Sequence, residues 1–156
     1  MSHLYAIGLG SNQPHGRYGP PARVLHAVLD ELQPVAASGI IETAPIGPSL
    51  RTFANAAALL ETQLSPPELL RDLKAIERRF GRRRGQRWGA RVLDLDILLW
   101  SGGLWSDGTL TIPHRHLTER LFALDPLSQI APEWQIPRHG TVRQHLARLA
   151  RPRPRP

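Results

Sequence analysis

Apolar residues recur at helical spacing in two segments of the sequence. The first stripe comprises Val24, Leu25, Val28, Leu29 and Leu32. The second comprises Leu69, Leu70, Leu73, Ile76 and Phe80. Pro34 ends the first pattern, whereas Ser65 and Glu68 form a capping-box pattern before the second, with Gly81 after it. Each segment therefore predicts one amphipathic helix.

Four other segments have the composition and length of strands, namely residues 4–9, 35–42, 53–61 and 92–100. The alanines of residues 53–61 suit a helix equally well, and their periodicity does not decide. Shorter elements are expected at 110–112 (extended), 119–124 (a helix stopped by Pro126) and 141–149 (a last helix). The order β-α-β-β-α-β predicts an α+β, ferredoxin-like sandwich, with an antiparallel sheet and helices packed on one face.

The composition fits one cytoplasmic domain. The chain has 156 residues, no cysteine and 41% hydrophobic residues, which predicts a single core over residues 1–150 without disulfides or thiolate metal sites. The alternating Arg-Pro end, residues 151–156, predicts a disordered tail. No apolar run approaches the ~20 residues of a membrane span, and no basic segment precedes an apolar stretch at the N-terminus. We therefore expect a soluble chain without a membrane partner.

The positive charge is concentrated in one segment. The formal net charge is +7, and seven arginines lie within positions 78–91, with no acidic residue among them. Such a cluster favours a polyanionic partner, such as nucleotide phosphates or nucleic acid. A solvated loop or a nucleic-acid patch explains this segment as well as a catalytic role does.

Asp94 and Asp96 lie two residues apart in the most apolar strand of the chain. In a strand such residues share one face, so Leu93, Leu95, Ile97 and Leu99 are expected on the opposite face, against the helices. Two solvated acids are the common outcome of this pattern. The neighbouring arginines favour a magnesium–nucleotide site instead, because Mg²⁺ takes carboxylates together with phosphate oxygens.

Three other positions allow both a structural and a functional interpretation. His114 and His116 could ligate zinc or contact phosphate, but a surface position is the simpler interpretation. Phe53 and Asn55 share one strand face, which suits a flat heterocycle, although core packing is the usual role of Phe. Trp88 lies in a Gly/Arg loop, where a lid role is reasonable.

Several motifs together resemble one family, the 6-hydroxymethyl-7,8-dihydropterin pyrophosphokinases of folate biosynthesis. The most specific stretch, residues 87–99 (RWGARVLDLDILL), is similar to the family's R-W-G-P-R-x-L-D-L-D-I-L-L. Supporting matches are ETAPIGP (42–48), FANA (53–56), LTIPH (110–114), ERLF (119–122), DPL (125–127) and IAP (130–132). Their order and spacing make the resemblance specific over residues 6 to about 146.

The resemblance implies an ATP-dependent diphosphotransferase. The 6-hydroxymethyl oxygen of the pterin would attack the β-phosphorus of ATP, and AMP would leave. Asp94 and Asp96 would hold two Mg²⁺ ions along the triphosphate. The implied catalytic residues are Arg82, Arg91, Asp94, Asp96 and His114. The implied ATP-binding residues are Glu77, Arg82, Arg84, Arg91, Ile97, Thr111, His114 and Arg120.

The resemblance also implies a pterin slot. Phe53 and Phe122 would sandwich the pterin ring, Asn55 would hydrogen-bond its edge, and Trp88 would close over it. Thr43, Ala44 and Ile46 would contribute backbone groups. The expected partners are ATP and 6-hydroxymethyl-7,8-dihydropterin, bound by a monomer.

The alternative from another class is a small RNA-binding protein on a ferredoxin-like sheet. The arginine cluster and the sheet allow it. The sequence lacks the aromatic RNP1 pattern of such modules, and Asp94 and Asp96 on an open sheet face would repel a phosphate backbone. The chain is therefore not expected to bind nucleic acid.

Overall fold

The computed structural model describes residues 1–43, 52–81 and 92–151. The strands are β1 (His3–Ser11), β2 (Ala36–Ala37), β3 (Ile41–Thr43), β4 (Phe53–Thr62), β5 (Asp94–Trp100), β6 (Trp105–Ser106), β7 (Thr111–Ile112), β8 (Gln135–Ile136) and β9 (Gly140–Thr141). The α-helices are α1 (Pro21–Leu32), α2 (Pro66–Arg79), α3 (Leu121–Ile130) and α4 (Val142–Ala150), with a 3₁₀ turn at Leu117–Glu119.

The main sheet has the order β2-β4-β1-β5, and β3 also pairs with β4. All of these pairs are antiparallel. With β2 and β3 taken together as one edge, this is the strand order of the predicted ferredoxin-like sandwich, which is confirmed. The ambiguous segment that starts at Phe53 is strand β4. Its alanines at 54, 56 and 58 alternate into the main core, as a strand requires.

Helices cover both faces of the sheet. On one face, α1 and α2 pack apolar residues such as Val24 and Leu73 against Ile7 and Leu95. The other face, to which the sequence analysis assigned no helix, carries α3 and α4. Leu124 and Leu127 of α3 pack there against strand residues such as Leu98. This second layer matters for function because it covers the face on which the paired aspartates were expected.

A β-bulge corrects one predicted orientation. Ile7 pairs with Ile97, but Ala6 pairs with Leu99, so Leu98 is an extra residue in β5. The insertion reverses the alternation of faces. Leu99 therefore packs in the α3 core with Leu98, and not with Leu95 and Ile97 as predicted. The prediction for Leu99 was wrong, while the parity of Asp94 and Asp96 before the bulge is unaffected.

Two element boundaries also differ from the prediction. The expected strand 35–42 is interrupted at Ser38, whose hydroxyl accepts a hydrogen bond from the Ala57 amide (2.9 Å). The helix expected to stop before Pro126 continues to Ile130. Burial of Leu124 and Leu127 against the sheet stabilises α3 enough to accommodate a proline that removes one helical N–H.

The outer edge of β5 is occupied by groups from two other elements. The amide of Leu95 donates to Oε2 of Glu77 on α2 (3.2 Å), and the carbonyl of Leu98 accepts from the amide of His114 (3.0 Å). The loop after β7 and the helix α2 are thereby tied to the strand that carries Asp94 and Asp96. Within the described ranges, no helix is both long and apolar enough to cross a membrane.

The prediction of one domain over residues 1–150 and of a disordered tail stays a prediction, and residues 152–156 lie outside the described part of the chain.

Candidate active site

Asp94 and Asp96 share the α3-facing side of β5, each opposite a glycine of β1. Gly10 pairs with Asp94 and Gly8 pairs with Asp96. A Cβ at Gly8 would lie 3.3 Å from Cδ1 of Leu98, and one at Gly10 would lie 3.3 Å from Oδ1 of Asn55. Both distances are tighter than ordinary side-chain contacts. The two glycines therefore allow Leu98 and Asn55 to pack close to β1, and both glycines line a cavity beside the carboxylates.

Asp96 is partly buried between two basic side chains. Its Oδ1 lies 3.9 Å from Nε2 of His114, and its Oδ2 lies 3.5 Å from Nη1 of Arg120. Burial, reinforced by the charge of Asp94, raises the pKa of Asp96 above its ordinary value, although His114 and Arg120 act in the opposite direction. A divalent cation bound at Asp96 would lower this pKa again, because it favours the ionised carboxylate.

The carboxylates of Asp94 and Asp96 fit a magnesium ion better than they fit a metal ion that is coordinated by protein groups alone. Among the described residues, no group of three or more His, Asp or Glu side chains is placed to hold a metal ion. Two neighbouring carboxylates suit Mg²⁺, which retains water and substrate phosphate oxygens in its coordination shell. A zinc site at His114 and His116 would need a third protein ligand, and the described residues place none beside them.

His114 is held so that its Nε2 faces Asp96. The His116 amide donates to Nδ1 of His114 (3.2 Å), so in the neutral ring the proton is on Nε2. Burial lowers the pKa of His114, and the charge of Asp96 only partly opposes this effect. Near neutral pH the imidazole is therefore a neutral hydrogen-bond donor directed into the site.

Two cavities meet at Asp96. The larger has a volume of about 510 Å³ and lies between α2 and the β6–β7 hairpin. The smaller, of about 100 Å³, lies between the sheet and the start of α3. Asp96 and Arg120 line both cavities. A group bound in one cavity can therefore reach a group bound in the other at this carboxylate.

The larger cavity contains four of the residues that the resemblance assigned to ATP. These are Ile97, Thr111, His114 and Arg120. The sequence analysis missed Leu70 and Lys74 of α2 and the turn at residues 107–110, which complete its walls. The Asp107-Gly108 dipeptide is a turn signal that could have located this wall.

Asp107 organises that turn. Its Oδ1 accepts hydrogen bonds from the amides of Thr109 (2.7 Å) and Leu110 (2.8 Å), and its Oδ2 accepts one from the Trp105 indole (2.8 Å). These hydrogen bonds, led by the one from Thr109, lower the pKa of Asp107 to about 2. The turn thus depends on an ionised carboxylate at neutral pH.

The smaller cavity contains Asn55, Asp94 and Phe122. The side chain of Phe53 lies on the same face of β4 as Asn55, and its backbone pairs with Thr43. Phe53 and Phe122 are 40% and 53% exposed, which is unusual for large apolar side chains flanking a cavity. The residues assigned to the pterin are thus near one another, although Phe53 does not line the cavity itself.

Glu77 does not line either cavity. Its side chain is fully buried. Oε1 lies 3.1 Å from Nζ of Lys74, and Oε2 accepts a hydrogen bond from the Leu95 amide. The remaining predicted site residues lie outside the described residues. They are Ala44, Ile46, Arg82, Arg84, Trp88 and Arg91.

Comparisons with known proteins agree on one family. The sequence profile of the family 7,8-dihydro-6-hydroxymethylpterin-pyrophosphokinase (HPPK) matches residues 6–132. The chain is 39% identical over 144 residues to a Synechocystis sp. protein, covering 88% of this chain and 71% of that protein. It is 40% identical over 156 residues to one from Methylorubrum extorquens (96% and 94%). It is 40% identical over 138 residues to one from Pseudomonas aeruginosa (84% and 82%). Each relative is named 2-amino-4-hydroxy-6-hydroxymethyldihydropteridine pyrophosphokinase.

Proposed function

The chain belongs to the 7,8-dihydro-6-hydroxymethylpterin-pyrophosphokinase family, and on this premise we propose how its residues carry out the reaction. The enzyme transfers diphosphate from ATP to the 6-hydroxymethyl group of 7,8-dihydropterin in folate biosynthesis, and AMP is released. Enzymes of this family use ATP and Mg²⁺. The observation that carries the assignment of roles is the junction of the two cavities at Asp96 and Arg120.

The larger cavity is the ATP site in this proposal. Ile97 and Thr111 contact the nucleotide, while His114 and Arg120 contact its phosphates. His114 donates from Nε2 to a phosphate oxygen, a role that its fixed tautomer supports. Arg120 lies where the two cavities meet, so its guanidinium can stabilise charge that develops on the transferred group.

The smaller cavity receives the pterin. Phe53 and Phe122 stack on the ring, and Asn55 binds its edge, with backbone groups of Thr43 nearby. The exposed aromatic rings and the amide beside Gly10 support this placement. The pterin hydroxymethyl oxygen then approaches the β-phosphorus from the opposite side to the leaving AMP, as in-line transfer requires.

Asp94 and Asp96 hold magnesium, and we propose two ions. When bound, the metal neutralises charge on the triphosphate. The raised pKa of Asp96 and the position of both carboxylates on the wall of the smaller cavity support a cation at this position. Arg82, Arg84 and Arg91 are proposed as phosphate ligands, and Ala44, Ile46 and Trp88 as pterin contacts, on the resemblance alone.

We further propose a cytoplasmic monomer that binds neither nucleic acid nor membrane. Packing of α3 on the sheet removes the open stacking surface that the RNA-binding alternative requires.

Isothermal titration with a non-hydrolysable ATP analogue tests the proposal, with and without Mg²⁺ and then with the pterin. We expect nucleotide binding to depend on Mg²⁺, and an assay with ATP and the pterin to release AMP. Nucleotide binding that is independent of Mg²⁺, or an absence of AMP, would contradict it.

A further inference from the structure

Lys74 is the only lysine of the chain, and it lies on a wall of the larger cavity. It is on α2, one turn after Leu70, which lines the same wall. Its side chain is 42% exposed although its charged end contacts a fully buried carboxylate. Lys74 thus contacts a buried carboxylate and also lines the cavity. A freely solvated surface lysine has no such fixed contact.

The anchor is Glu77, one turn further along α2. Oε1 of Glu77 lies 3.1 Å from Nζ of Lys74, while Oε2 accepts the hydrogen bond from the Leu95 amide. A buried carboxylate is costly unless it is paired and hydrogen-bonded. The pair therefore limits the positions that the Lys74 ammonium can occupy, and it links that position to the strand that carries Asp96.

The charge of Lys74 also acts on the carboxylate end of the cavity. It is one of the cations that oppose the rise in the pKa of Asp96. An ammonium has three N–H donors, so the contact with Glu77 leaves donors for a ligand in the cavity. Oxygen atoms of a nucleotide, which are negatively charged along the triphosphate, match these donors.

We propose that Lys74 binds oxygen atoms of ATP in the larger cavity and that Glu77 is the positioning residue that holds it there. The inference rests on the proposed function and adds to it a nucleotide contact. It also reassigns Glu77 from direct ATP binding to action through Lys74 and Leu95. A purely structural ion pair between Lys74 and Glu77 is the competing interpretation.

Because the chain has one lysine, chemical modification reports on it directly. Reductive methylation of the untagged protein is followed by peptide mass spectrometry, with and without a non-hydrolysable ATP analogue and Mg²⁺. The fully exposed amino-terminal Met1 is the internal control. We expect bound nucleotide to slow modification of Lys74 about tenfold and to leave Met1 unchanged. Equal rates for Lys74 in the free and bound protein would overturn the proposal.

Substitutions test the contact itself. We expect Lys74→Met to raise the dissociation constant of the ATP analogue at least tenfold. Arg71→Met removes a positive charge from an exposed position on the same helix and should leave the constant unchanged. The double variant Lys74→Met/Glu77→Gln covers the case in which Lys74→Met fails to fold, because it also removes the negative charge of the buried Glu77 side chain.

The roles of the two residues can be separated. Glu77→Gln keeps an acceptor for the Leu95 amide but loses the charge that holds Lys74, so we expect a smaller, threefold to fivefold rise in the ATP dissociation constant. If the folded double variant bound the analogue as tightly as wild type, Lys74 would be only a structural partner. Failure of the wild-type protein itself to bind ATP or release AMP would instead reject the proposed function, and this inference with it.

Discussion

Arg120, the residue that precedes the first turn of α3, extends its guanidinium to within 3.5 Å of Oδ2 of Asp96 on β5. This contact spans 24 positions of the sequence and joins the second helical layer to the strand that carries the carboxylates. Because both residues line both cavities, their contact lies where the two substrates are expected to meet.

Removal of either aspartate should abolish or nearly abolish transfer. We expect Asp96→Ala to eliminate AMP production and Asp94→Ala to come close, since the loss of magnesium bridging removes several kcal/mol of transition-state stabilisation. AMP release is measured over a titration of Mg²⁺. Asp30→Asn, at an exposed position of α1, is the control for charge. Near-native turnover of either alanine variant at saturating Mg²⁺ would refute the metal assignment.

Phe122→Ala should weaken pterin binding and spare the nucleotide. The loss of one stacking face costs about 1 kcal/mol or more beyond the lost burial. Both ligands are titrated calorimetrically, the pterin in the presence of the ATP analogue. Leu121→Ala removes a neighbouring exposed apolar side chain that does not line either described cavity. An equal loss of affinity for both ligands would indicate that Phe122 stabilises the fold instead.

Gly10→Ala should act on the pterin through Asn55. The new methyl group would lie 3.3 Å from Oδ1 of Asn55, so this side chain must shift. We expect about a tenfold loss of pterin affinity, which corresponds to ~1.4 kcal/mol. In an Asn55→Ala background the same change should have little further effect.

The matched control for this prediction is Gly16→Ala, because a Cβ at Gly16 has no neighbour within 4 Å. Independent, additive effects of Gly10→Ala and Asn55→Ala would show that the glycine does not act through the amide.

Asp107 should make the stability of the protein depend on acid pH. Its pKa is lowered in the folded state to about 2 from an ordinary value of 3.8. Its stabilising contribution is therefore present above about pH 4 and is lost as the pH falls toward 2. We expect Asp107→Asn to have a lower Tm than wild type at pH 7, and this difference to shrink toward pH 2. A Tm difference that persists unchanged at pH 2 would contradict the role of the charge.

Local pattern and motif spacing were sufficient for the main sheet, for α1 and α2, and for part of the site. The period of two in β5 correctly placed Asp94 and Asp96 on one face, because two residues always share a face in a regular strand. It failed at Leu99, since a bulge depends on how β1 and β5 pair and leaves no local sign in the sequence. The same limit applies to α3, whose position on the second face is determined by packing with distant strand residues.

Contacts between elements could not be predicted from the sequence either. Lys74 and Glu77 are three residues apart, so their pairing on a helix was accessible from sequence. Their place at the cavity and at the edge of β5 was not, because it depends on how α2 packs against the sheet. The resemblance placed Glu77 near the nucleotide, but the structure gives it a buried position behind the wall of the cavity.

The contacts of Glu77 and His114 with β5 position site residues, and they also protect the exposed edge of this strand. An edge strand presents unpaired amide and carbonyl groups that can recruit a strand from another molecule. On β5, the Leu95 amide and the Leu98 carbonyl are already occupied by these two residues. These two contacts protect the most apolar strand of the protein from edge-to-edge aggregation. The groups that make them, a Glu77 side chain and a His114 amide, belong to residues at or next to the candidate active site.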